Sequence, residues 1–206
     1  MRAIISFQGF TETNKYRTGT EDLYFNVIRK FSSDGVTTYQ PQSWTSNVKS
    51  VVRQLSRQGI NDVALISYSH GQAAGAAFAK YAKKYNIEIS LWLCCDPVYR
   101  SKFIPRYNVF QIFSAWSLTK WATVKVPANI HRVIYVKQDY GIPCGHDMIA
   151  EDEANTYVKH DATLNETHQT IDHCAYWFNL VSAELKDWII PKHAREICIN
   201  TNSDGS

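Results

Sequence analysis

No apolar run in this 206-residue chain approaches the roughly 20 residues needed to span a bilayer. Nor is there a run of Lys and Arg dense enough to make a nucleic-acid or anionic-membrane surface, and the formal net charge is only +3. The opening, Met1 to Phe7, holds too short an apolar stretch for a signal peptide, with no small-residue cleavage site behind it. The five cysteines are odd in number and irregularly spaced, and Cys94 and Cys95 are adjacent within an apolar run. That usage suits buried thiols in a reducing compartment better than a disulfide framework, so a cytoplasmic location is expected. Repeats, low-complexity segments and linkers are also missing. One domain over residues 1–200 is expected, ended by a polar, flexible tail, 201–206.

What is present is an alternation. Five apolar, β-rich runs, Ala3 to Phe7, Val36 to Tyr39, Val63 to Tyr68, Ile89 to Cys95 and Arg132 to Val136, are separated by helical patterns. Helices are expected over about Glu21 to Phe31, Ser46 to Arg57, Gly71 to Tyr85 and Ala175 to Ile190. The second has Val48, Val51, Val52 and Leu55 at the spacing of one helical face, with Gly59 as its stop. The inner face of the third is mostly Ala and Gly, which lets a helix lie close to a sheet. Strands joined through helices require parallel pairing, with helices on both faces of the sheet. An α/β three-layer sandwich is therefore expected. The stretch 103–130 breaks the alternation, being rich in aromatics and lacking a clean period, and reads as an irregular excursion or lid over the sheet.

The segment that carries chemistry is Val63-Ala64-Leu65-Ile66-Ser67-Tyr68-Ser69-His70-Gly71-Gln72-Ala73-Ala74-Gly75. An apolar strand runs into a turn of small residues, and a helix follows. This resembles the G-x-S-x-G nucleophile elbow of the α/β-hydrolase superfamily, with Ser67 in place of the commoner first Gly. The resemblance implies Ser69 as nucleophile at the carboxyl end of a strand, facing a helix N-terminus that favours developing negative charge. It also implies a minimal, five-stranded fold of strand order 2-1-3-4-5, as in small lipase-like and cutinase-like esterases.

A serine needs a base, and the base needs an orienting acid. In the superfamily the chain order is Ser, acid, His. Asp96 closes the strand next to the nucleophile's own, and Pro97 is expected to pin it as an extended residue. Asp139 is the alternative acid, but it follows Lys137 and Gln138, two residues of solvent type. Among the downstream histidines, His168 lies on a loop just before the last helix and fits the terminal His loop of lipase-like hydrolases. His173 and His146 are the alternative bases. The loop after the first strand, Gln8-Gly9-Phe10, would supply one oxyanion donor from the N–H of Phe10 or Thr11, and His70 N–H the other.

The function implied is hydrolysis of a carboxylic ester or thioester through an acyl-enzyme. No metal or cofactor is needed, and the partner is a small-molecule or lipid-like acyl substrate, with Phe103, Tyr107, Phe110, Phe113, Trp116 and Trp121 as candidate walls for its pocket. Three other readings remain open. They are acyl transfer on the same residues, a metal-dependent hydrolase using His146, Asp147, Asp152, His160, Asp161, His168, Asp172 and His173, and a non-catalytic binding module on the same fold.

Overall fold

A computed structural model describes residues 1–10, 12, 18–99, 121–139, 141 and 143–190. The fold is α/β, a parallel central sheet flanked by helices. Its strands are β1 (Arg2–Phe7), β2 (Thr37–Thr38), β3 (Asp62–Tyr68), β4 (Glu88–Cys95), β6 (Arg132–Lys137) and β8 (Tyr157–Thr163), and two short strands, β5 (Val124–Val126) and β7 (Met148–Ala150), pair separately. The main helices are α1 (Gly19–Asn26), α2 (Val48–Arg57), α3 (Gly71–Ala82) and α4 (Ala175–Ile189).

Every strand neighbour in the main sheet is parallel, in the order β2-β1-β3-β4-β6-β8. This corrects the expected five-stranded sheet of order 2-1-3-4-5: six strands are present, and β8 is added beyond β6. Its sequence, Tyr-Val-Lys-His-Asp-Ala-Thr, is polar because an edge strand meets solvent, and the apolar-run criterion passes over it. The expected excursion is also corrected in part, since its end, Val124–Val126, pairs with Met148–Ala150. Residues 103–120 and the expected tail, 201–206, lie outside the described residues, as does Thr11.

Alternation along the strands sends successive side chains to opposite faces. Ala3, Ile5, Phe7, Val63, Leu65 and Trp92 pack beneath α2 and α3. Ile4, Ala64, Ile66, Leu91, Leu93 and Cys95 pack against α1, α4 and the 3-10 segment Ile28–Asp34. The small inner face of α3 has the expected effect. A side-chain carbon on Gly75 would lie 3.0 Å from the indole of fully buried Trp92, so the helix rests directly on that ring. Helix starts are capped locally: Thr18 and Glu21 form a reciprocal capping box on α1, and Asn47 accepts from Ser50 N at the start of α2. The first expected helix is shorter than its apolar stripe, because Ile28–Asp34 tightens into 3-10 geometry.

Among the described residues, no helix is long and apolar enough to cross a membrane. The chain leaves β1 toward β2 on one side and returns to β3 on the other. In open parallel sheets such a reversal is the point where ligands bind, here at the carboxyl ends of β1 and β3.

Candidate active site

At the carboxyl end of β3 the backbone turns sharply into α3 through Ser69, whose φ of +52° is in the left-handed region. For a residue with a side chain this conformation costs on the order of 1–3 kcal/mol and persists only where the surroundings enforce it. They do so here. Ser69 N donates to Cys95 O at 3.0 Å, and Val98 N donates to Ser69 O at 3.5 Å, tying the turn to the end of β4. Gly71 passes so close to β1 that a Cβ would lie 2.5 Å from Phe7 O and 2.7 Å from Gln8 O. The glycine of the motif is therefore required by backbone contact. Gly9 meets the same turn from the other side: a Cβ there would fall 2.8 Å from the Tyr68 ring and 3.1 Å from Ser69 Cβ.

Ser67, where the motif usually has Gly, has a partner that explains it. Its hydroxyl accepts from Trp92 Nε1 at 3.0 Å and donates to Cys94 Sγ at 3.4 Å. All three side chains are buried. The serine satisfies an indole N–H that glycine would leave unpaired.

Ser69, Asp96 and His168 come together. Ser69 Oγ is 2.8 Å from His168 Nε2, and His168 Nδ1 is 2.5 Å from Asp96 Oδ2. The carboxylate can only accept, so the ring proton belongs on Nδ1. Nε2 is then left with its lone pair toward the serine hydroxyl, which donates. All three side chains are buried. A fully buried carboxylate needs compensating donors, and Asp96 has three: His168 Nδ1, Gln138 N to Oδ1 and Gln138 Nε2 to Oδ2, the last two at 3.1 Å. Gly145 packs on the same carboxylate with no room for a side chain.

Two readings of this region are corrected. Asp96 is not extended: its φ is +45°. Pro97 bars the right-handed helical region but leaves the left-handed one, which Asp tolerates. Gln138 is not a solvent residue either; it is fully buried and serves Asp96.

The alternatives lie elsewhere. Asp139 is 58% exposed and pairs with Lys137 Nζ at 3.5 Å. His173 is 44% exposed, 3.6 Å from Asp22. His146 is buried, and its Nδ1 accepts from Tyr99 N at 3.2 Å. The carboxylates proposed for a metal are otherwise engaged. Asp147 is held below its usual range by Lys137, 3.0 Å away, and Tyr135 also donates to it. Asp161 binds Lys159 and Tyr176, and Asp152 caps Ala154 and Asn155. Among the described residues, no group of three or more His, Cys, Asp and Glu is placed to hold a metal ion.

Phe10 and His70 flank the Ser69 turn with rings 5.9 Å apart, and Trp44 stands 5.2 Å from Phe10. His70 is the N-cap of α3, so the first-turn N–H groups of that helix are beside the serine. Of the expected aromatic walls, Trp121 is exposed and the rest lie outside the described residues.

Tyr68 also reaches this cluster, although the sequence pattern does not mark it. Its ring stacks on the His168 ring at 5.2 Å, and its hydroxyl donates to His168 O. Burial pushes its phenol well above the ordinary range, so it stays a neutral donor. The only signal available was its position between the two serines of the motif. No protein-family model matches the chain, and no curated protein matches it.

Proposed function

We propose that the chain is a serine hydrolase of minimal α/β-hydrolase type that cleaves a carboxylic ester or thioester through an acyl-enzyme. One observation carries this reading: the continuous hydrogen-bonded path Ser69–His168–Asp96, with its serine on a strained strand-to-helix turn. A structural serine would need neither the path nor the strain.

On this reading the steps are those of acyl transfer through a serine. His168 Nε2 takes the Ser69 proton as Oγ bonds to the substrate carbonyl carbon, and the carbonyl electron pair moves onto oxygen. The backbone N–H groups of Phe10 and His70 hold that oxyanion. Asp96 stabilises the imidazolium and keeps it oriented. As the tetrahedral adduct collapses, the C–O or C–S bond breaks, and His168 returns its proton to the leaving group. Water then repeats the sequence on the acyl-enzyme, giving the free acid and Ser69. An alcohol in place of water would make the same residues an acyltransferase.

The acyl group would lie near Phe10 and Trp44, which favours a small-molecule or lipid-like substrate. The adjacent buried thiols Cys94 and Cys95, both pushed up by burial, fit a reducing, cytoplasmic setting. The test is labelling with a fluorophosphonate probe. Ser69 should carry the adduct by peptide mass spectrometry, and Ser69→Ala should carry none. A folded wild-type protein that takes up no probe overturns the reading.

A further inference from the structure

Next to the loop that follows β1, two carboxylates are buried together. Glu12 is 8% exposed and Asp172 is 3%. Glu12 Oε2 accepts from Gly9 N at 2.6 Å and from Thr20 Oγ1 at 2.8 Å, while Oε1 accepts from Thr20 N at 3.0 Å. Glu12 also bears on Asp172, whose carboxyl it helps to push up. Asp172 belongs to the 3-10 turn Ile171–His173, four residues past His168, and its carboxylate presses on Gly19 at the start of α1. One side chain thus joins the loop beside the nucleophile, the first turn of α1 and the turn that follows His168.

Packing does not account for this arrangement. Burying a carboxylate costs several kcal/mol, and burying two in contact costs more. Neither α1 nor the turn needs a charge to satisfy Thr20. The distinguishing contact is with Gly9 N, because the next peptide N–H in the chain is that of Phe10.

The geometry points to Glu12 as a positioning residue for the oxyanion-binding loop, acting through Gly9 N and braced by Asp172. The inference rests on the serine-hydrolase reading. Glu12 touches no reacting atom. By fixing the Gln8–Gly9 peptide at Gly9 N, it sets where the next peptide, Gly9–Phe10, offers its N–H beside the Ser69 turn; a single oxyanion donor is worth roughly 10²–10³ in kcat.

The brace has a consequence for pH. A buried carboxyl beside another carboxylate holds its proton to higher pH. Burial first, then the charge and hydrogen bond of Glu12, push Asp172 up to about 8. The other groups bearing on Asp172 are Asp22 from α1 and His173 from its own turn, with Nε2 3.9 Å away; Tyr68 from β3, Cys95 from β4 and Cys174 before α4 are kept neutral by burial. Asp96 acts on the same Tyr68 and Cys95. Because the folded-state value is raised, the pair weakens the fold progressively as pH climbs from the ordinary carboxyl range to about 8. Above that Asp172 is charged and buried against Glu12, and the brace is strained.

The experiment measures kcat and KM for a short-chain p-nitrophenyl ester from pH 6 to 10, alongside fluorophosphonate labelling rates. Glu12→Ala should lower kcat about 100-fold, with KM changed less than about threefold, and should slow labelling in parallel. Glu12→Gln, which keeps one oxygen to accept from Gly9 N but gives up the acceptor for Thr20 N, should recover about tenfold of that loss. Wild-type kcat should fall above about pH 8, and Asp172→Asn, whose amide donates without titrating, should remove the fall. If Glu12→Ala does not fold, Glu12→Gln and Asp172→Asn carry the test. Wild-type kcat in Glu12→Ala, or a fall that persists in Asp172→Asn, overturns the inference while leaving the hydrolase reading standing. A wild-type protein inert to both ester and probe overturns both.

Discussion

Gln138 Nε2 and His168 Nδ1 donate to the same oxygen, Asp96 Oδ2, at 3.1 and 2.5 Å. Gln138 is itself fixed, donating to Pro143 O at 2.7 Å and accepting from Gly141 N at 2.5 Å. The Asp96 carboxylate is therefore aimed by a side chain that has no freedom to turn. Gln138→Ala should lower kcat about tenfold with little change in KM, since a loosened acid misplaces the imidazole. It should also cost about 1–3 kcal/mol of stability, because buried partners lose their hydrogen bonds. Steady-state kinetics and denaturant titration on one preparation check both. An unchanged kcat would make Gln138 a structural residue only.

Ser69 separates activity from stability. Ser69→Ala and Ser69→Gly should both abolish turnover. They should differ in melting, because glycine accepts the +52° φ without steric cost. Ser69→Gly is expected to exceed Ser69→Ala by about 1 kcal/mol. Equal melting temperatures would mean that the turn stores no strain.

Removing the acid should be severe and its neighbour harmless. Asp96→Asn is expected to lower kcat by roughly four orders of magnitude, as when a triad acid is neutralised and the imidazole takes the wrong tautomer. Asp139→Asn, at an exposed carboxylate remote from the Ser69–His168–Asp96 path, should stay within about twofold. His168→Ala should be nearly as damaging as Ser69→Ala, because such residues act as a unit. His146→Ala and His173→Ala should be much milder. A ranking led by either of these would place the base elsewhere.

The motif's irregular serine should matter for folding, not for turnover. Ser67→Gly removes the acceptor of the buried Trp92 indole N–H. About 1–3 kcal/mol of stability should be lost, with kcat within about threefold. A stable Ser67→Gly protein would show that the indole finds another partner.

Local pattern was enough for the sheet-and-helix alternation and for the Ser69 turn. Apolar runs of β-rich residues, the stripe on α2 and the small face of α3 are all written over windows of a few residues, where side-chain period and backbone preference act directly. The strand Tyr157–Thr163 escaped that reading because an edge strand in water needs no apolar period. The order of the sheet, and the partners gathered at its carboxyl ends, were decided only by tertiary structure. Asp96 meets His168 across 72 positions and His168 meets Ser69 across 99. Gln138, Tyr68 and Glu12 look like ordinary polar or strand residues until folding buries them. Once buried, a polar group must find its partner wherever the chain brings one. The sequence by itself therefore determined which residues could do chemistry. Which of them stand within 3 Å of one another was decided by the packing of two helix layers on one twisted sheet.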